Sequence, residues 1–232
     1  MITLRKASAR GRADHGWLKS WHSFSFADYY DPAHTQFSSL RVINDDTVAA
    51  GQGFGTHGHR DMEILSYVLS GALQHKDSMG NGKMMSWGEV QLMSAGTGVQ
   101  HSEFNPSPLE EVHFLQIWIM PNQSGLKPGY QQKHFPAEAK RGCWCLLASP
   151  DAAQGSLLLH QDARVLAALL DGEERLSYSV TPGRQVYLHV ARGTVKAANM
   201  QLAAGDALMI SDETAISMEG AAEAELLLFD LP

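Results

Sequence analysis

The sequence predicts an all-β protein built as two similar domains in tandem, each a β-sandwich or closed barrel. Three observations lead there. Helical periodicity is almost absent over the first 120 residues, while short runs of strand-forming residues recur between glycine and polar turns. A proline- and glycine-rich break, Pro121 to Tyr130, follows directly on the apolar run Val112 to Met120 and cuts the 232 residues into two halves. The halves share a weak repeat. Ser66-Tyr67-Val68-Leu69-Ser70-Gly71 resembles Leu188-His189-Val190-Ala191-Arg192-Gly193, and Gly88-Glu89-Val90-Gln91-Leu92-Met93-Ser94 resembles Gly205-Asp206-Ala207-Leu208-Met209-Ile210-Ser211.

Met1 to Leu18 carries charge and lacks the apolar stretch of a secretory signal, and no later run approaches a membrane span, so a cytoplasmic protein is expected. Strands are expected at Leu40–Asn44, Glu63–Leu69, Leu73–His75, Lys83–Trp87, Val90–Met93 and Val112–Met120. Between two of them, Asp77-Ser78-Met79-Gly80-Asn81-Gly82 reads as a hairpin turn. After the break come a short helix near Pro136–Arg141 and strands at Leu157–His160, Leu176–Val180, Gln185–Val190 and Ala224–Phe229. The expected domains are residues 1–122, a linker at 123–132, and residues 133–232.

Hydrophobic residues at 44% and charged residues at 19% describe an ordinary folded protein, and a net charge of −7 argues against a nucleic-acid surface. Cys143 and Cys145, the two cysteines, are too close along the chain for an unstrained disulfide and are expected as reduced core thiols. The pairs Asp45-Asp46 and Glu110-Glu111 read as solvated turns.

Chemistry concentrates in Gly51–Gly71 and Gly88–Asn105. Side chains two apart on a strand share a face, so His57 and His59 aim together, as do His101 and Glu103. Three imidazoles and a carboxylate suit one first-row divalent ion (Fe, Zn, Co, Ni, Cu or Mn) and leave positions open for a substrate. Glu63 competes with Glu103 as the carboxylate ligand. Glu103 is preferred because it shares a strand face with His101, leaving Glu63 behind the ligands or paired with Arg60 or Arg41. Carrying the ligand offsets into the repeat lands on Ser179, Thr181, Met218 and Gly220, so the second domain is expected to hold no such ion. His15, His22, His34, His75, His113, His134, His160 and His189 lack partners at ligand spacing and read as structural. The aromatic residues between Trp17 and Tyr30 read as packing.

Gly51-x5-His57-x-His59-x3-Glu63-x7-Gly71 and Gly98-x2-His101-x3-Asn105 resemble the two cupin motifs. The one-residue-longer spacing from Glu63 to Gly71, and Gly96 where proline is usual, resemble one branch, the pirin family. So do Trp21-His22-Ser23-Phe24-Ser25-Phe26-Ala27-Asp28-Tyr29-Tyr30-Asp31-Pro32, Leu40-Arg41-Val42-Ile43-Asn44-Asp45-Asp46 and Gln116-Ile117-Trp118-Ile119-Met120-Pro121. The resemblance is strong from about Trp17 to Gln132 and thin beyond. It implies a bicupin whose N-terminal domain binds one ion through His57, His59, His101 and Glu103, and whose C-terminal domain is degenerate. It also implies quercetinase activity: opening of a flavonol's central ring by dioxygen with release of carbon monoxide. Glu103 would be the catalytic base taking the flavonol hydroxyl proton. The expected partners are a flavonol such as quercetin and O2, with neither nucleic acid nor membrane, in a monomer. The alternative is a metal- or redox-sensing regulator acting on a protein partner. A pocket for a flat polyphenol is expected to be wide and apolar, with Phe54, Met93 and Phe104 as lining candidates.

Overall fold

Short apolar runs bounded by glycine and polar turns recur along the chain, and extended strands bury them against a facing layer. The computed structural model describes all residues, Met1–Pro232, and divides them into two compact units. The chain is all-β, with two cupin domains. No helix is long and apolar enough to cross a membrane.

In chain order the first strands are β1 (Ile2–Arg5), β2 (Gly11–Asp14), β3 (Leu18–His22), β4 (Leu40–Val48), β5 (Gly53–His59), β6 (Glu63–Ser70) and β7 (Ala72–Asp77). They are followed by β8 (Gly82–Ser86), β9 (Glu89–Ser94), β10 (Val99–Phe104), β11 (Val112–Ile119) and β12 (Gly129–His134). The N-terminal unit holds two sheets, one of four strands ordered β5-β10-β7-β8 and one of seven ordered β12-β9-β6-β11-β4-β3-β2. Asp77 closes the β7–β8 turn as expected, its carboxylate accepting backbone N–H groups of Met79 and Asn81 at 2.9 and 3.0 Å.

Two apolar clusters stabilise this unit. One gathers Leu18, Val48, Val68, Leu73, Met85, Val112 and Phe114, the other Ile64, Met93, Ala95 and Val99. Along β6 the same-face positions run Ile64, Ser66, Val68, and along β11 Phe114, Gln116, Trp118. Each strand thus carries one polar residue flanked by an apolar residue toward either cluster, which lays a polar band across the interior.

The C-terminal unit contains β13 (Cys145–Ser149), β14 (Leu157–Leu158), β15 (Arg164–Gly172), β16 (Leu176–Ser179), β17 (Gln185–Ala197), β18 (Met200–Ala203), β19 (Ala207–Ile210) and β20 (Ala215–Leu231). One path runs β1-β19-β17-β20-β15-β13-β14. β18 pairs with the far end of β17 and β16 with the near end of β20, so these long strands serve both layers, bent by bulges between Val190 and Thr194. Its interior is apolar, from Leu166 through Val190 and Val195 to Leu228, and Met218, one of the positions reached by the ligand offsets, belongs to it.

The repeat has a structural counterpart. β6 pairs with β9 and β17 pairs with β19, and Gly71 and Gly193 both take positive φ, +73° and +67°. A Cβ on Gly71 would stand 2.7 Å from the Glu111 carbonyl oxygen, and one on Gly193 would collide with the carbonyls of Ala222 and Glu223. Strain and clash add, so Gly193→Ala is expected to cost roughly 3 kcal/mol or more of stability. A urea melt that moves by less than about 0.5 kcal/mol would remove this steric account.

The units depart from the expected bounds in three places. Met1–Arg10 belongs to the C-terminal unit, because β1 pairs with β19. Gly129–His134, of which residues 129–132 fall in the expected linker, is strand β12 on β9 and belongs to the N-terminal unit. Leu159–Gln161 belongs to the N-terminal unit, so the strand expected at Leu157–His160 stops at Leu158. None of these pairings is local, which is why the composition of the break concealed them. Cys143 is exposed and Cys145 half-buried, so neither is a core thiol, and neither is in a disulfide. Asp45 and Asp46 are not in a turn but inside β4: Asp46 is buried, and Asp45 bonds His113 Nε2 at 2.6 Å.

Candidate metal centre

β10 is the central element, with β5 on one side and β7 on the other. His101 lies directly opposite His57, and Val99 opposite His59, so the parity expected from sequence brings three imidazoles to one place. Their ring centroids are 4.4 Å (His57–His101), 4.8 Å (His57–His59) and 4.8 Å (His59–His101) apart. A bulge on β5 shifts the register beyond His101, and Glu103 faces Phe54 there and His75 across on β7.

The donor chemistry fits a metal ion. His57, His59 and His101 each offer a ligand atom within 4.8 Å of the others; His75, His101 and Glu103 form a second such triple. Glu103 therefore joins the cluster through His101. His57 Nδ1 donates to the Gly55 carbonyl at 2.8 Å, which leaves Nε2 with its lone pair. His101 Nε2 is buried with no hydrogen-bond partner, a position that invites an ion. Burial, then the neighbouring His57, pushes His59 down to about 4. Burial and the surrounding His57, His59 and His75 push His101 down to about 3, so both imidazoles are neutral at neutral pH, the form that can bind an ion.

Glu103 is buried, and burial lifts its carboxyl to about 7 against the opposing hydrogen bonds. Ser66 Oγ donates to one oxygen at 3.1 Å and Gln116 Nε2 to the other at 2.8 Å, both from the polar band of β6 and β11. Asp46 is likewise lifted to about 7 by burial, with Asp45 and Glu103 adding repulsion and Ser20 opposing.

Glu63 takes another role. Ser94 Oγ donates to it at 3.0 Å, and His160 approaches it with both backbone N–H and Nδ1 at 3.3 Å. Its partners are thus neither Arg60 nor Arg41; Arg41 binds the Ser25 and Thr35 carbonyls instead. His160, which reads as an isolated histidine in sequence, is the cap on this carboxylate. His75 is the second residue the spacing missed: Asp77 Oδ2 lies 3.1 Å from its Nε2, and its Nδ1 lies 3.4 Å from His101 Nδ1. Parity with Leu73 on β7 was the available signal.

An open surface depression of about 490 Å³ touches His59 and Val99, but the rest of its lining, Gly58, Arg60, Ser78, Gly98 and Gln100, is exposed, and strand alternation turns Gly58 and Gln100 away from the face that carries His57 and His101. Its lining is more polar than expected. Met93 is wholly buried in the core, Phe54 packs edge-on against Trp17 at 5.3 Å, and Phe104 is 41% exposed, so none of the three lines this depression.

Comparison with known proteins agrees with this architecture. The Pirin family profile matches residues 3–119, and the profile described as the quercetinase C-terminal cupin domain matches residues 146–231. A protein of Escherichia coli named quercetin 2,3-dioxygenase is 51% identical across 100% of this chain and 99% of its own. A pirin-like protein of Caulobacter vibrioides is 42% identical across 99% of each chain. The bacterial pirin YhhW from Escherichia coli, solved in complex with nickel(II), superposes with a TM-score of 0.95 at 51% identity, covering 100% of this chain and 99% of that one. With both halves matched in order and over nearly full length, this chain belongs to the pirin family of the cupins.

Proposed function

We propose that this protein is a metal-dependent quercetin 2,3-dioxygenase, in which one divalent transition-metal ion is held by His57, His59, His101 and Glu103. The observation that carries the proposal is the meeting of three imidazoles with a buried carboxyl on β5 and β10. The Escherichia coli relatives supply the activity and nickel as one ion to test.

A bound divalent ion supplies Lewis acidity and positions at which a flavonol and O2 are brought together. The chain's own residues do the rest. Glu103 accepts the flavonol hydroxyl proton on a carboxylate oxygen; with an acidity near neutral, it can hold that proton and return it. Ser66 and Gln116 fix the carboxylate's orientation throughout, and their hydrogen bonds keep part of its charge stabilised in a buried site. The apolar clusters on either side of the polar band keep water from the reacting centre.

The test is direct: quercetin loss, O2 uptake and carbon monoxide release are followed together with nickel-loaded and metal-stripped protein. One O2 consumed and one carbon monoxide released per quercetin, only when metal is present, is the expected result. Metal-loaded protein that leaves quercetin intact would exclude it.

A further inference from the structure

We infer that Asp77 and His75 form a relay to His101 that fixes which of its nitrogens is free to bind an ion. This rests on the ligand set proposed above and adds two positioning residues to it.

Parity places the residues. On β7, Leu73, His75 and Asp77 share one face, and Leu73 is wholly buried in the apolar core. Across the sheet Asp77 stands opposite His101, and His75 opposite Glu103. The two side chains therefore enter the same interior as the ligands, and neither exposes any side-chain area.

The direction of the relay follows from its acid end. Both Asp77 oxygens are acceptors already in use: Oδ1 takes the backbone N–H groups of Met79 and Asn81, and Oδ2 takes the Asn81 side-chain amide at 2.8 Å. A carboxylate in this setting only accepts, so His75 Nε2, 3.1 Å from Oδ2, carries the hydrogen. A neutral imidazole has one donor and one acceptor, which makes His75 Nδ1 the lone pair. His101 Nδ1, 3.4 Å away, must then donate, and the lone pair of His101 is left on Nε2, the buried atom without a partner. Tyr130 stacks on His75 at 4.9 Å and 31°, holding the plane of the middle ring. A carboxylate at the far end of a hydrogen-bonded ligand raises ligand basicity and locks its orientation.

Asp77→Asn is the informative change. The new amide keeps its oxygen for the two backbone donors and turns its NH2 toward His75, which reverses every hydrogen bond in the relay and puts the hydrogen on His101 Nε2. His75→Leu cuts the relay, whereas His75→Asn keeps an acceptor near the place of Nδ1. The experiment measures nickel(II) affinity of the full chain by chelator competition, with thermal melts of the metal-free proteins to report folding. Asp77→Asn and His75→Leu are expected to weaken nickel by about 10–100-fold, with His75→Asn within about 3-fold of the parent. Parent-like affinity in Asp77→Asn and His75→Leu overturns the relay. So does an equal loss in His75→Asn and His75→Leu, because bulk rather than an acceptor would then be what matters. His101→Ala separates the two readings: parent-like nickel binding there overturns the ligand set itself, whereas its loss beside an unaffected Asp77→Asn overturns the relay alone.

Discussion

His101→Ala is expected to abolish metal-induced stabilisation while leaving the metal-free protein folded. The side chain is enclosed and its Nε2 has no partner, so in the metal-free state its removal takes away a desolvated polar atom along with some packing. With an ion present the balance differs. The parent protein gains about 2.7 kcal/mol when nickel stands at 100 times its dissociation constant. The variant, having lost the imidazole that links both ligand triples, gains essentially nothing at that concentration. Melting curves with and without nickel measure this difference, and turnover of quercetin is expected to fall by more than about 100-fold, beyond what loss of an outer partner causes. Equal nickel-induced shifts in parent and variant would dismiss His101 as a ligand.

Glu103→Gln removes the proposed base, and with it the anionic ligand, while leaving the architecture in place. The amide has the shape of the carboxyl, Ser66 can rotate its hydroxyl, and Gln116 can turn its amide, so both neighbours remain bonded. Because burial disfavours the charged form of Glu103, the neutral replacement is expected to be at least as stable as the parent at pH 8, where the parent must hold a buried charge. Its kcat/KM is expected to fall by roughly 10²–10⁴-fold, the usual worth of a positioned base. The pH profile gives a second reading. Glu103 must be ionised to accept a proton, and a bound cation favours ionisation, so activity of the parent is lost as pH falls through an acid limb at or below about 7. That limb should vanish in the variant's residual activity. A Gln variant with parent kinetics would place the base elsewhere.

The convergence of the candidate ligands was legible because it depends on the shortest rule of extended chain. His57 and His59, and His101 and Glu103, are two apart, and alternation alone puts each pair on a face. His75 and Asp77 obey the same rule from β7, but their relevance depends on β7 lying beside β10, a pairing at long sequence separation. Asp46 was misread because adjacent acidic residues are usually solvated; its neighbours Phe114 on β11 and Ser20 on β3 are distant in sequence, and they enclose it. Glu63 reads from sequence as a rival ligand or a residue behind the ligands paired with Arg60 or Arg41, yet its partner His160 comes from the three-residue excursion Leu159–Gln161, which leaves no local signature. Turns and strand centres were visible throughout, since glycine and alternation mark them; partners were not, since pairing is set by the whole chain.

The placement of β1 also has a meaning in time. A ribosome makes Ile2–Arg5 well before its pairing partner Ala207–Ile210, which follows about 200 residues later. At roughly 5–20 residues per second the first strand waits about 10–40 s with its edge unpaired, while almost the whole N-terminal unit has already emerged. The half that carries the histidines can thus mature early, and the chain's first four-residue strand is among the last to find its place.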